Sequence, residues 1–101
     1  MYVPKIKTPE GLKPITIVPD PVLLEAYLDS NISAEDKEVA SWLLYLDDKE
    51  YAGRCLRSAL NGSFDLKIIY PALGGSVPDD AIFICPVPDG ALYLVRVPSK
   101  S

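Results

Sequence analysis

The chain has no histidine, and among its 101 residues there are two cysteines, one methionine and one tryptophan. The missing imidazole removes the usual general base, the Ser-His and Cys-His nucleophile pairs, and every zinc motif that draws on histidine. Basic excess is missing too. Ten Lys and Arg stand against 14 Asp and Glu, a formal net charge of −4. That is the wrong sign for a protein that tracks a nucleic-acid backbone. No apolar run approaches the roughly 20 residues that would span a bilayer. The N-terminus, Met1-Tyr2-Val3-Pro4-Lys5-Ile6-Lys7, places charge and proline where a signal peptide has its apolar stretch, so a cytoplasmic location is expected. Phosphate cradles are lacking as well. Leu73-Gly74-Gly75-Ser76 fits neither the P-loop nor the dinucleotide fingerprint, and Asp79, Asp80 and Asp89 lack EF-hand spacing. The expectation is a non-enzymatic chain with no cofactor and no metal.

What is present is apolar material. At 49% hydrophobic residues the chain is far from the composition of disordered segments. Its length suits a single small domain over residues 1–101, divided into a proline-rich extended arm (1–19), a helical part (20–61) and an antiparallel β part (62–98). Half of the ten prolines fall in the first 21 residues. They predict extended backbone there, with Ile15-Thr16-Ile17-Val18 as the one strand, an added edge to the sheet.

Asp20-Pro21 announces the first helix, with Asp20 as N-cap and proline at the first helical position. It runs to about Asp29. Val22, Leu23, Ala26 and Tyr27 make one apolar face, and Leu24 and Leu28 a second ridge. A short helix apolar nearly all round is either buried on two sides or docked on something. The second helix opens on a capping box at Ser33-Ala34-Glu35-Asp36, and Val39, Trp42, Leu43 and Leu46 follow at the spacing of one buried stripe. Asp47-Asp48-Lys49-Glu50 restarts a third helix. There Tyr51, Ala52, Cys55, Leu56 and Ala59 share a face, Arg54 and Arg57 take the opposite, solvated one, and Asn61-Gly62 ends the run. A continuous helix over 34–60 is the alternative to a break at Asp47-Asp48. The break is preferred because the stripe loses register where a new cap begins.

After Gly62 the period changes from 3.6 to 2. Phe64, Leu66, Ile68 and Tyr70 alternate with Asp65, Lys67 and Ile69 as a strand with one wet face. Residues 71–80 read as a connecting loop. Ala81–Cys85 and Leu92–Val97 form a hairpin through Pro88-Asp89-Gly90, where glycine is expected to take the positive φ. Pro86 and Pro88 mark the first hairpin strand as an edge or a bulge. Helices followed by strands give the α+β class: two to three helices packed on an antiparallel sheet of about three strands.

Cys55 and Cys85 read as reduced thiols used as small apolar side chains, with pairing between them left open. The acids of the middle third, Glu35, Asp36, Glu38, Asp47, Asp48 and Glu50, crowd helix starts, where they complement the macrodipole. A surface that mimics phosphate spacing, or a basic partner's docking patch, is the other use for them. Tyr45 sits off the buried stripe and has the large, low-entropy contact area of binding hot spots. Leu24, Leu28, Tyr45, Asp47, Asp48 and Glu50 are therefore the candidate partner-binding residues. The functional expectation is a small acidic module that docks on a protein partner as inhibitor, adaptor or regulator, of a kind that phages and mobile elements encode. The alternative is a structural component that self-assembles through an apolar helix face or a hairpin edge. Neither nucleic acid nor membrane is an expected partner.

Overall fold

The fold was taken from a computed structural model, which describes residues 5–97. The element order is β1 (Lys5–Thr8), β2 (Gly11–Pro14), α1 (Asp20–Asp29), α2 (Ala34–Ser41), a 3₁₀ turn (Trp42–Tyr45), α3 (Lys49–Leu60), β3 (Phe64–Ile69), a second 3₁₀ turn (Pro71–Leu73), β4 (Ile82–Val87) and β5 (Gly90–Arg96). Helices and antiparallel sheets alternate in blocks, the α+β pattern.

The proline-rich segment is extended, but it folds back on itself. β1 and β2 pair antiparallel from Lys5↔Pro14 to Thr8↔Gly11. Gly11 takes a φ of +112°, and the Thr8 hydroxyl donates to the Gly11 carbonyl at 2.6 Å. Residues 1–4 of the expected arm lie outside the described residues. Ile15–Val18 is not an added edge strand. It is a turn, in which the Ile17 amide donates to the Pro14 carbonyl at 3.0 Å and the Val18 amide to the Ile15 carbonyl at 3.3 Å. The burial pattern gives the reason. A strand would bury alternate residues, whereas the turn buries Ile15 and Val18, three apart, and leaves Thr16 and Ile17 exposed.

Asp20 does not cap α1. Pro19 holds that position, and its carbonyl accepts from the Val22 and Leu23 amides at 3.0 and 2.9 Å. The Asp20 carboxylate instead accepts from Arg57 Nε at 2.7 Å. Arg57 also donates to the carbonyls of Ile15 and Val18, so one guanidinium ties the turn and the start of α1 to α3. The expected solvated face of α3 therefore holds only for Arg54. Gly53 lets α1 and α3 close: a Cβ there would lie 1.7 Å from the Asp20 carbonyl oxygen. The second apolar ridge of α1 is covered by β1, so the helix is buried on two sides.

The helix starts in the middle of the chain follow their sequence signals. Ser33 Oγ accepts from the Asp36 amide at 3.1 Å, and Asp48 Oδ1 accepts from the Tyr51 amide at 3.1 Å. Gly62, at φ +88°, follows the end of α3 in the left-handed conformation that a side chain resists.

In the three-stranded sheet the order is β3-β5-β4, all antiparallel. β4 is an edge and carries a bulge between Phe83 and Cys85. Leu66, Ile68, Leu92 and Leu94 face the helices. Ile69 belongs to the other face and is buried there by the loop that follows, while Tyr70 lies past the strand and is exposed. At the hairpin, Asp89 takes the positive φ (65°) expected of glycine. Gly90 is needed for a different reason: a Cβ there would meet the Ile69 carbonyl oxygen at 2.4 Å. Leu23, Leu43, Leu56 and Leu92 are the largest fully buried side chains and anchor one continuous core.

Candidate functional site

The segment between α2 and α3 presents its side chains in an order fixed by backbone geometry. α2 tightens into a 3₁₀ turn at Trp42, and a 3₁₀ turn eclipses residues i and i+3. Tyr45 is thereby set over Trp42, with ring centroids 5.5 Å apart and planes tilted by 38°. Leu43 points inward and is fully buried, whereas Leu44 and Tyr45 point out, Tyr45 at 77% exposure. The corner is closed by hydrogen bonds. The Leu46 amide donates to the Leu43 carbonyl at 3.2 Å, and Lys49 Nζ donates to the Leu44 carbonyl at 2.5 Å. Asp47, Asp48 and Glu50 follow directly and are all exposed. The result is a stacked aromatic pair with one ring free, beside a leucine and bordered by three carboxylates.

The six candidate residues do not form one surface. Tyr45, Asp47, Asp48 and Glu50 lie together at this corner. Leu24 is 3% exposed, inside the core, and half-buried Leu28 packs against that core. Leu24 and Leu28 thus stabilise α1 between α3 and the hairpin and present no docking ridge. The second ridge on α1 was a true signal of burial on two sides. The covering element is hard to read because the alternation of β1 spans only Lys5–Thr8, with Ile6 its one apolar residue, and β2 has none.

Comparison with family models, with curated proteins and with solved structures gives no match. The site is therefore argued from its own chemistry. Both thiols are free and buried, and burial pushes each above its ordinary pKa of 9.0, which disfavours the nucleophilic thiolate. Burial, and then the Asp36 carboxylate, also raises the Tyr27 phenol. Among the described residues no group of three or more metal-binding side chains comes together. None of the described helices is long and apolar enough to cross a membrane.

The wet face expected of β3 belongs to a larger surface that is partly apolar. The outer face of the sheet, away from the helices, carries Asp65, Lys67, Ile69, Ala91, Tyr93, Val95 and Phe83. Phe83 and Tyr93 meet edge to face at 5.9 Å, and Phe83 is 55% exposed. The loop after β3 arches over one end of this face and borders an open groove of about 410 Å³. Proline and glycine mark residues 71–80 as a loop, but nothing in their order says which face of the sheet it covers.

Proposed function

We propose that the protein is a small acidic binding module that docks on a protein partner through the Tyr45 corner. The observation that carries this reading is the position of Tyr45: an exposed ring that rests at a tilt on Trp42 across the 3₁₀ turn. A large ring with only two side-chain torsions loses little entropy on contact, which is why tyrosine is frequent among binding hot spots. Asp47, Asp48 and Glu50 set the chemistry of the partner. They favour a segment bearing Arg or Lys, with the cation over the free face of Tyr45 and the carboxylates around it. Such a partner would be steered by the chain's net charge of −4 and released by salt.

The test is a paired capture with the native chain, Tyr45→Ala, and Glu10→Ala as a control on the distant hairpin. The proposal expects a protein retained by the native chain and the control, lost about tenfold with Tyr45→Ala, as a hot-spot residue requires. Equal retention by all three overturns it.

A second reading, self-assembly, draws on a different observation. Edge strand β4 leaves Ile82 and Phe83 exposed, 43% and 55%, next to unpaired backbone. Gel filtration with light scattering separates the two readings. A monomer at every concentration supports docking on a different protein, and a concentration-dependent dimer supports self-assembly.

A further inference from the structure

The groove on the outer face of the sheet sets a lysine among apolar side chains with no acid beside it. Its floor is Lys67, Ile69 and Val95, and its walls are Tyr70, Leu73 and Ser76. At about 410 Å³ it falls in the range of small-molecule sites, roughly 300–1,000 Å³. The next cavity, about 170 Å³, sets the carboxyl groups of Asp36 and Asp65 beside Tyr27, and a third, about 310 Å³, holds charges of both signs, Lys7 and Asp29. A fourth, about 240 Å³, sets Lys13 among Ile17, Val18 and Val22, but Glu10 lines it too and pairs with Lys13 at 4.0 Å, whereas the groove under the loop has a cation and no acid in its lining.

We propose that this groove binds a small amphipathic monocarboxylate, its anion at the Lys67 ammonium and its chain along Ile69, Val95 and Leu73. Three observations lead there. First, the wall is built in advance. The Leu73, Gly74 and Gly75 amides donate to the carbonyls of Tyr70, Pro71 and Tyr70 at 2.9, 3.0 and 3.2 Å, which closes the loop on itself. Gly74 takes a φ of +90°, and a Cβ on Gly75 would press on Ile69 Cγ2 at 3.0 Å, so both glycines serve the curl that shapes the groove. Second, Leu73 stands at the rim with 82% exposure, a large apolar side chain left in water on an ordered turn. Third, Lys67 makes no ion pair with any described residue. The loop's acids do not neutralise it: neither Asp79 nor Asp80 lines the groove, and Asp80 faces Arg96 at 3.9 Å. A lone cation on an apolar floor selects one negative charge with a hydrocarbon body. A phosphate or a dicarboxylate would bring more charge than the groove can meet.

The test uses the full chain and amide shift mapping by NMR, with hexanoate, octanoate and octanol as probes, the carboxylates titrated to about 10 mM and octanol to its solubility limit in water. Octanoate should move the Ile69, Gly75, Ser76 and Val95 amides saturably and bind about four- to fifteenfold tighter than hexanoate, since each methylene taken from water contributes about two- to fourfold. Octanol should bind more weakly than octanoate, by up to about fivefold, the contribution of one solvent-exposed ion pair. Lys67→Gln, an exposed position that leaves the core untouched, should erase the preference for octanoate over octanol without moving the unfolding temperature. Leu73→Ser should weaken all three probes together. The proposal is overturned by shifts that never saturate, by shifts centred away from the groove, or by an octanoate preference that survives Lys67→Gln.

Discussion

Arg57 shows how far one side chain departs from its sequence pattern. On the helical wheel it belongs with Arg54 on a wet face, yet its guanidinium binds Asp20 and two backbone carbonyls contributed by residues about 40 positions earlier. Arginine suits this task because its planar fork serves several acceptors at once, and a lysine ammonium cannot reproduce that geometry. Arg57→Met should cost about 2 kcal/mol, the loss of hydrogen bonds to a charged donor with three acceptors left behind. Arg57→Lys should recover less than half of that. Urea denaturation at constant slope measures both, and a loss below about 0.5 kcal/mol for Arg57→Met would contradict the assignment. Nothing local distinguishes Arg57 from Arg54, because the difference is made by the Ile15–Val18 turn, a long-range contact. Asp89 and Gly90 teach the same lesson. The dipeptide announces the turn, but which residue takes the positive φ depends on Gly90 lying against the Ile69 carbonyl.

At the scale of elements, legibility followed the range of the physics. The capping of α2 and α3, the Gly62 stop, the break before α3 and the β4–β5 hairpin rest on contacts within a few residues, and all were readable. The β1–β2 hairpin was not. β1 alternates exposed Lys5 and Lys7 with buried Ile6 and Thr8, but over four residues with a single apolar side chain, and β2 shows no such pattern. The candidate site divided in the same way. Tyr45 and its acids were legible as residues outside the buried stripe, while the burial of Leu24 depended on an element the sequence did not announce. Gly53 is the element-scale counterpart of Arg57. A glycine inside a helix ordinarily costs about 1 kcal/mol against alanine. Here it is the point where α1 meets α3, so Gly53→Ala should destabilise by about 3 kcal/mol despite its higher helix propensity. A midpoint in urea that rises with this substitution would contradict the packing described.

For the whole molecule, the buried titratable groups predict a pH dependence. Cys55 and Cys85, ordinarily near 9.0, and Tyr27 and Tyr51, ordinarily near 10.0, are all pushed upward by burial. The unfolded chain therefore releases these protons first as pH rises. The stability they contribute is complete below about pH 9 and is lost as pH climbs through the raised values. The unfolding temperature should be flat from pH 7 to 8.5 and fall steadily above 9, and replacing both cysteines with alanine should remove the earlier part of that fall. A melting temperature unchanged up to pH 11 would contradict the burial of these groups.

The whole molecule also carries two exposed apolar regions, the Tyr45 corner and the outer sheet face, and the 3₁₀ turn of the corner packs on β4, the strand that carries Phe83. The central claim is that the corner is where a partner docks. A photo-reactive amino acid in place of Tyr45, in the otherwise native chain, tests it most directly. Mass spectrometry should find crosslinks to one partner protein, within a segment rich in Arg and Lys, fading as salt is raised. Crosslinks that join two copies of this chain, or that form equally well from a probe placed at Glu10, would contradict it.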